Sequence, residues 1–295
     1  MSSPGKRYGI VVGVDGSAAS NDAVLWAARD AAMRNVPLQL VHMFKTFVPT
    51  FPQIPMPTGA PMWQEDDGRQ ELEQAAKVAR EAVPTGHRIE IASEVRYSPP
   101  ASTLIEISEQ AEMIVVGSTG RGAVERVLLG SVSSAVVRRA QCPVAVIHER
   151  SSYTPPPQDA PVLVGIDGSP ASEIATGIAF DEASRRGVEL RAIHVWSDTE
   201  YFELPEYEWK TVREEAERNL AESLAGMQER YPDVRVTRVI ARNRPARQIV
   251  EQSEAAQLVV LGSHGRGWVT GTLLGSVSNA VVQSVRVPVI VARSS

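Results

Sequence analysis

The feature that most constrains this chain is that it repeats itself. Gly13-Val14-Asp15-Gly16-Ser17 recurs as Gly165-Ile166-Asp167-Gly168-Ser169, an offset of 152, and Val41-His42 recurs as Ile193-His194 at the same offset. Further on the offset falls to 145: Gly117 to Ser133 and Gly262 to Ser278 agree at 12 of 17 positions. A segment used twice marks a structural unit used twice, and 295 residues suit two units that each bury a core. The expected division is a first domain over 1–148, a Pro-rich linker over 149–160 carrying Tyr153-Thr154-Pro155-Pro156-Pro157, and a second domain over 161–295. The seven-residue change in offset lies between His42 and Gly117, where Pro49, Pro52, Pro55, Pro57 and Pro61 mark a long irregular loop in the first half alone.

Within each half, short β-branched runs alternate with longer helical patterns. The first half predicts strands at Tyr8 to Val14, Leu38 to Met43, Arg88 to Arg96, Met113 to Gly117 and Val144 to His148, with helices near 18–34, 64–83, 100–111 and 131–140. The second predicts strands at Val162 to Asp167, Glu189 to Val195, Arg235 to Ala241, Leu258 to Gly262 and Val289 to Ala292, with Ser169 capping a helix that opens on Pro170. This alternation is that of an α/β fold whose parallel sheet is covered on both faces.

Composition narrows the function classes. A formal charge of -5 offers no basic surface to nucleic acid. The segment from Met1 to Val14 runs straight into a Gly-rich turn, and no apolar run is long enough for a bilayer, so neither a signal peptide nor a membrane span is expected. One cysteine, Cys142, excludes an intramolecular disulfide, suits a reducing compartment and reads as a small buried hydrophobe. A cytoplasmic protein is the expectation.

In open parallel sheets, ligands sit at the carboxyl ends of strands where the strand order reverses. Two segments of each half reach that place. The first strand ends in Gly13-Val14-Asp15-Gly16, and the fourth ends in Gly117-Ser118-Thr119-Gly120-Arg121-Gly122, followed by Gly130-Ser131 at a helix start. Glycines let backbone amides approach an anion, and a helix N-terminus adds free N–H groups and a favourable dipole. This predicts a phosphate cradle. It is not a P-loop, because Ala123-Val124 stands where Lys and Ser or Thr are required, and no dinucleotide fingerprint follows either first strand.

The pattern that does fit, Gly-x-x-Gly, nine residues, Gly-Ser, occurs at Gly117, Gly120, Gly130, Ser131 and again at Gly262, Gly265, Gly275, Ser276. With Gly-x-Asp-Gly-Ser after each first strand and Pro-Val-x-Val at each last one, it resembles the tandem, ATP-binding members of the universal stress protein family over nearly the whole chain. The resemblance implies two five-stranded parallel sheets in order 3-2-1-4-5, an adenine nucleotide alpha hydrolase-like, Rossmann-like arrangement. It also implies ATP as ligand, with Mg2+ as a possible companion, and a homodimer. Carried onto this sequence it assigns nucleotide contacts to Gly13, Asp15, Gly117, Ser118, Thr119, Gly120, Arg121, Gly122, Gly130, Ser131 and Val132, with adenine beside Val41. In the second half the counterparts are Gly165, Asp167, Gly262, Ser263, His264, Gly265, Arg266, Gly267, Gly275, Ser276 and Val277, with adenine beside Ile193 and Asp198 at the pocket mouth.

Each of these residues also has a plainer reading. Asp15 and Asp167 suit a helix cap, the single glycines suit strand-to-helix turns, and Arg121 and Arg266 suit solvent as well as phosphate. Of the five histidines only His42 and His194 correspond between halves, and no metal-ligand spacing emerges. Arg138-Arg139 reads as a solvated helix face. The apolar fifth strands, Val144 to Ile147 and Val289 to Val291, ask for cover at the sheet edge. No acid, base or metal constellation repeats in both halves, so the expected role is a nucleotide-dependent regulator of stress adaptation and growth with a partner protein. The alternative is a slow ATPase or a phosphoryl or nucleotidyl transferase.

Overall fold

The computed structural model describes residues 8–44, 62–120, 129–150, 154–196, 206–265 and 274–293, with the backbone alone for 62–65 and 206–209. The chain divides into two compact units, Met1–Arg150 and Ser151–Ser295. Unit one runs β1 (Tyr8–Val14), α1 (Ala18–Arg34), β2 (Leu38–Met43), α2 (Met62–Ala82), β3 (Ile91–Arg96), α3 (Pro100–Ile107), β4 (Ala111–Gly117), α4 (Ser131–Arg139) and β5 (Val144–Ile147). Unit two repeats the plan with β6 (Val162–Gly165), α5 (Pro170–Arg186), β7 (Leu190–Trp196), α6 (Glu206–Arg230), β8 (Val236–Arg242), α7 (Pro245–Ser253), β9 (Leu258–Gly262), α8 (Ser276–Ser284) and β10 (Val289–Ala292).

Within each unit the strands pair in parallel. In unit one β1 pairs with β2 and β4, β2 with β3, and β4 with β5, which is the expected order 3-2-1-4-5. Unit two has the same order in β8-β7-β6-β9-β10. Right-handed crossovers leaving β1 and β2 in one direction put α1 and α2 on one face, and the reversal from β3 to β4 puts α3 and α4 on the other. The strands are therefore buried on both sides and read as continuous apolar runs. Ile10, Val11, Val12, Ile114 and Val115 are fully buried in unit one, as are Val162, Leu163, Val164, Val259 and Val260 in unit two. Each such side chain contributes about 1.5–3 kcal/mol by leaving water.

The first helix of each unit shows why its ends lie where they do. Ser17 caps α1 by accepting from the Ser20 N–H, and Ser169 caps α5 by accepting from the Ser172 N–H, with Pro170 in the first turn as expected. Both helices stop at a left-handed residue, Asn35 at φ 55° and Gly187 at φ 64°, which stand at equivalent places in the repeat.

Several boundaries differ from expectation. β3 starts at Ile91 rather than Arg88, and α3 ends at Ile107 rather than 111. β4 begins two residues early, at Ala111, because Ala111 already pairs with Tyr8 of β1. β6 ends at Gly165 rather than Asp167, since Asp167 has turned to accept the Ser169 N–H. The Pro-rich loop over 49–61 lies outside the described residues. The end of the expected linker is tied to unit two, where the Gln257 amide donates to the Gln158 and Ala160 carbonyls at 2.7 and 2.6 Å. Among the described residues no helix is long and apolar enough to cross a membrane.

Candidate functional site

In unit one the carboxyl ends of β1 and β4 converge. Past β1 the chain turns sharply, with Gly16 at φ 73°, a conformation that costs glycine little and other residues more. Asp15 holds that turn. Its Oδ1 accepts from the Ser17 N–H at 3.0 Å and from the Ser17 hydroxyl at 2.6 Å. The plainer reading of Asp15 as a helix cap is thus corrected: Ser17 caps α1, and Asp15 braces the capping residue. Its other oxygen faces across the sheet to the β4 loop, where a Cβ placed on Gly120 would come within 2.6 Å of Asp15 Oδ2.

The β4 loop is built for close approach. A Cβ on Gly117 would meet the backbone of Ala19 and Ser20 at 2.8 and 2.9 Å, so only glycine lets β4 end against the first turn of α1. The Ser118 N–H donates to the Ile147 carbonyl at 2.7 Å, and the Gly130 N–H donates back to the Ser118 carbonyl, also at 2.7 Å. The loop therefore leaves and returns at one point. Its base is locked from α4 by the buried Ser133 hydroxyl, which donates to the Gly117 carbonyl at 2.6 Å. Gly130 is the N-cap of α4 and has no side chain to bond the first N–H groups, while Ser131 stands exposed in that first turn. Unpaired N–H groups and the positive end of the helix dipole thus face the mouth of the loop.

Unit two reproduces this construction. Asp167 Oδ1 accepts from the Ser169 N–H at 2.9 Å, its Oδ2 lies against the α-carbon of Gly265, and Gly168 has φ 77°. The Gly275 N–H donates to the Ser263 carbonyl at 2.7 Å, and the Ser278 hydroxyl donates to the Gly262 carbonyl at 2.6 Å. Gly275 caps α8 without a side-chain bond, and Ser276 is exposed. The two loops are also linked: the Ser169 hydroxyl reaches the His264 carbonyl at 3.2 Å, as Ser17 reaches that of Thr119 at 3.4 Å.

The structure thus brings together Asp15 with Gly117, Ser118, Thr119, Gly120, Gly130, Ser131 and Val132, and Asp167 with Gly262, Ser263, His264, Gly265, Gly275, Ser276 and Val277. Gly13 and Gly165 do a different job. A Cβ at Gly13 would stand 3.1 Å from Leu104 of α3, and one at Gly165 would stand 2.7 Å from Leu261 of β9 and 3.3 Å from Ile249 of α7, so these glycines make room for the side chains that pack a helix, and in unit two a neighbouring strand, against the sheet. Val41 and Ile193 lie beside them in register and are buried in the core. Arg121, Gly122, Asp198, Arg266 and Gly267 lie outside the described residues.

The two corresponding histidines have different surroundings. His42 is buried with Nδ1 at 3.3 Å from Glu71 of α2 and its ring edge-on to Phe44. His194 Nδ1 lies 2.7 Å from the Ile166 carbonyl. Cys142 is buried, and Arg138 and Arg139 are exposed, as expected. Among the described residues no group of three or more His, Cys, Asp or Glu side chains is arranged to hold a metal. Sequence reasoning missed the capping role of Ser17 and the anchoring serines Ser133 and Ser278. The signal for the two anchors was present in the Gly-Ser-Val-Ser that closes both copies of the loop segment.

Comparison with known proteins agrees with this geometry. The model of the universal stress protein family matches residues 9–148 and 160–293. Universal stress protein Rv2005c of Mycobacterium tuberculosis is 60% identical over 295 residues, covering 100% of both chains. Universal stress protein Rv2623 of the same organism is 51% identical over 295 residues, covering 100% of this chain and 99% of the relative. Among solved structures, a universal stress protein from Archaeoglobus fulgidus shares the fold with a TM-score of 0.69 at 22% identity, covering 97% of this chain and 96% of that one. The chain belongs to the universal stress protein family, with one copy of the family's unit in each half.

Proposed function

We propose that each unit binds an adenine nucleotide, ATP in the first instance, and that occupancy regulates rather than turns over the ligand. The observation that carries this reading is the loop closed on itself at an uncapped helix start, built twice with the same bonds: Ser118 to Gly130 at α4 and Ser263 to Gly275 at α8. A phosphate tail supplies the acceptors that the first N–H groups of these helices lack. Side chains at Gly120, Gly265 or Gly275 would crowd the cradle, which fits a ligand that needs the backbone at close range.

The carboxylates of Asp15 and Asp167 stand at the opposite wall, where they suit ribose hydroxyls or a phosphate-bound Mg2+ and would repel bare phosphate. These two residues select a ligand with a polar, uncharged part next to its anionic tail, as a nucleoside phosphate has. The regulatory reading follows from the same parts. Bound nucleotide ties β1, β4 and α4 together at the surface, so the face offered to a partner protein, a second copy included, differs between filled and empty states.

The test is to denature the purified protein and identify what it releases, then to titrate the stripped protein with ATP, ADP, AMP and inorganic phosphate by calorimetry. Two adenine nucleotides bound per chain is the expected result. Absence of adenine nucleotide in the extract, together with no measurable binding, overturns the reading.

A further inference from the structure

The edge strand of unit two carries a charge pattern that the repeat does not account for. β8 ends the order β8-β7-β6-β9-β10, and among the described residues only β7 pairs with it. From Arg235 to Arg247 the chain holds Arg235, Arg238, Arg242, Arg244 and Arg247 in 13 residues without an Asp or Glu, although the whole protein has a formal charge of -5. Unit one has none of these arginines. The strand registers place Glu90, Ser93, Tyr97, Pro99 and Ser102 at the corresponding positions, so neither the fold nor the cradle, which both units share, requires a basic edge.

The register shows which backbone groups of β8 face outward. The Leu190 N–H donates to the Arg235 carbonyl at 2.9 Å, and the Asn243 N–H donates to the Trp196 carbonyl at 2.8 Å. Alternate residues of a parallel strand bond to a given neighbour, so 235, 237, 239, 241 and 243 turn their N–H and C=O groups to β7. Val236, Arg238, Ile240 and Arg242 turn theirs away. The side chains of these four share one face and alternate apolar with basic, Val236 and Ile240 being half-buried and Arg238 exposed. Arg235, on the opposite face, and Arg244 are exposed as well. Among the described residues Arg235, Arg238 and Arg244 make no ion pair. The carboxylates nearest in sequence are engaged: Asp233 accepts the Ser184 hydroxyl at 2.6 Å, and Glu251 meets Arg247 at 2.7 Å. The acidic helix α6 leaves the three arginines unpaired too.

We infer that β8 is a docking edge for an extended acidic segment of a partner protein, which adds to the sheet of unit two as a further strand. A row of outward N–H and C=O groups is matched residue for residue by another extended backbone, and arginine holds carboxylates in forked bonds. The added strand sets apolar side chains beside Val236 and Ile240 and carboxylates beside Arg238 and Arg242, with a further carboxylate beside Arg235 on the other face. The arginines repel a second copy of β8. Strand β3 of a second copy is no better a complement. There the Leu38 N–H donates to the Glu90 carbonyl at 2.8 Å, which leaves the uncharged Ile91, Ser93 and Val95 facing outward, and Glu94 is held by Arg96 at 2.8 Å. A nucleic acid has a use for the arginines but none for Val236, Ile240 or the backbone edge.

The probe is the acetylated, amidated peptide Glu-Val-Thr-Glu-Thr-Val-Thr-Glu, titrated into the full chain by calorimetry. Beside it run the same peptide N-methylated throughout, a version with lysine in place of glutamate, and a thymidine tetranucleotide of equal charge. The parent peptide is expected to bind, less tightly as salt rises, and the N-methylated and lysine peptides are expected not to bind. With about nine-tenths of the edge occupied, the outward amides of Val236, Arg238 and Ile240 exchange about tenfold more slowly, while those of Thr237, Val239 and Ala241, already bonded to β7, change least. Arg235→Glu/Arg238→Ser, which installs the residues of unit one, weakens binding about fivefold or more, with a thermal melt as the check on folding. Should that variant melt early, the N-methylated peptide decides the question on the natural protein. No binding of the parent peptide, or binding that N-methylation leaves intact, overturns the inference. Tighter binding of the tetranucleotide assigns the edge to nucleic acid, and self-association that the double variant abolishes assigns it to a second copy; either result overturns the inference as well.

Discussion

The carboxylate of Asp15 lies against the α-carbon of Gly120, so close that a methyl group there would stand 2.6 Å from Oδ2, and Asp167 stands in the same relation to Gly265. This contact joins the two loops that form each cradle. Because Asp15 is also bonded to Ser17, its carboxylate cannot swing aside without releasing the cap of α1.

Gly120→Ala and Gly265→Ala are therefore expected to disturb the cradle more than the core. Overpacking of this kind costs about 1–3 kcal/mol, which spent on site geometry corresponds to a loss of roughly fivefold to 150-fold in ATP affinity. Calorimetric titration beside a thermal melt is the measurement. A large loss of melting temperature with intact affinity would contradict the placement.

Asp15→Asn separates bracing from ligand contact. The amide keeps an oxygen to accept from Ser17, so the turn survives and stability changes by less than about 1 kcal/mol, while the charge is lost. Nucleotide affinity, and any dependence of it on Mg2+, is expected to fall. Equal losses of stability and affinity in urea melts and titrations would make Asp15 a structural residue only.

Ser133→Ala and Ser278→Ala remove the hydroxyls that lock β4 and β9 to the helices behind them. Both bonds are buried, so each replacement costs about 1–2 kcal/mol in urea unfolding. Affinity falls as well, because each helix start is no longer held at the end of its strand. Ser→Thr at these positions keeps the hydroxyl and is expected to restore part of both.

The repeat made much of the molecule readable in advance, because coincidence does not place Asp15, Gly117, Gly120 and Gly130 in register with Asp167, Gly262, Gly265 and Gly275. Alternation of strands and helices gave the parallel sheet covered on both faces, while the strand order 3-2-1-4-5 came from the family resemblance. What stayed hidden depends on contacts between distant segments. Nothing near Gly13 or Gly165 in the sequence says that Leu104 and Ile249 will pack on them. His42 and His194 look equivalent, yet the chain between β2 and the later loop differs in length between the halves, and among the described residues His42 meets a glutamate, Glu71 of α2, while His194 meets the Ile166 carbonyl. Ser133 and Ser278 read as ordinary helical serines until the carbonyl they meet, 16 residues earlier in each case, is brought beside them.

Asp30 and Glu182 occupy equivalent places on α1 and α5, and both are fully buried. Arg34 meets Asp30 at 2.7 Å, and Arg186 meets Glu182 at 2.7 Å and also reaches Gln257 at 3.4 Å. Desolvation makes a buried ion pair a weak stabiliser overall, but removing one partner leaves a carboxylate in a poor environment. Arg34→Ala and Arg186→Ala are expected to cost about 3–5 kcal/mol each in urea unfolding, while the double replacements Asp30→Leu/Arg34→Met and Glu182→Leu/Arg186→Met cost much less. If the single and double variants lose the same stability, packing of the arginine stems and not the charge governs these sites.

The final turns of α1 and α5 provide a comparison internal to the molecule. Asn35 and Gly187 hold the same left-handed C-cap, and the N–H of each bonds back into its helix, to Ala31 and Ala32 or to Ala183 and Ser184. An L-residue without a short polar side chain pays roughly 1–2 kcal/mol in this conformation, glycine almost nothing, and asparagine an intermediate amount. Gly187→Ala should therefore destabilise by about 1 kcal/mol and Gly187→Asn by less, whereas Asn35→Gly is neutral or slightly stabilising and Asn35→Val is the worst of the four. These caps lie at the opposite end of their helices from Ser17 and Ser169, so all four variants are expected to bind ATP with unchanged affinity. A change in affinity that follows the change in melting temperature would show that the ends of α1 and α5 are coupled and that the cradle is not held locally.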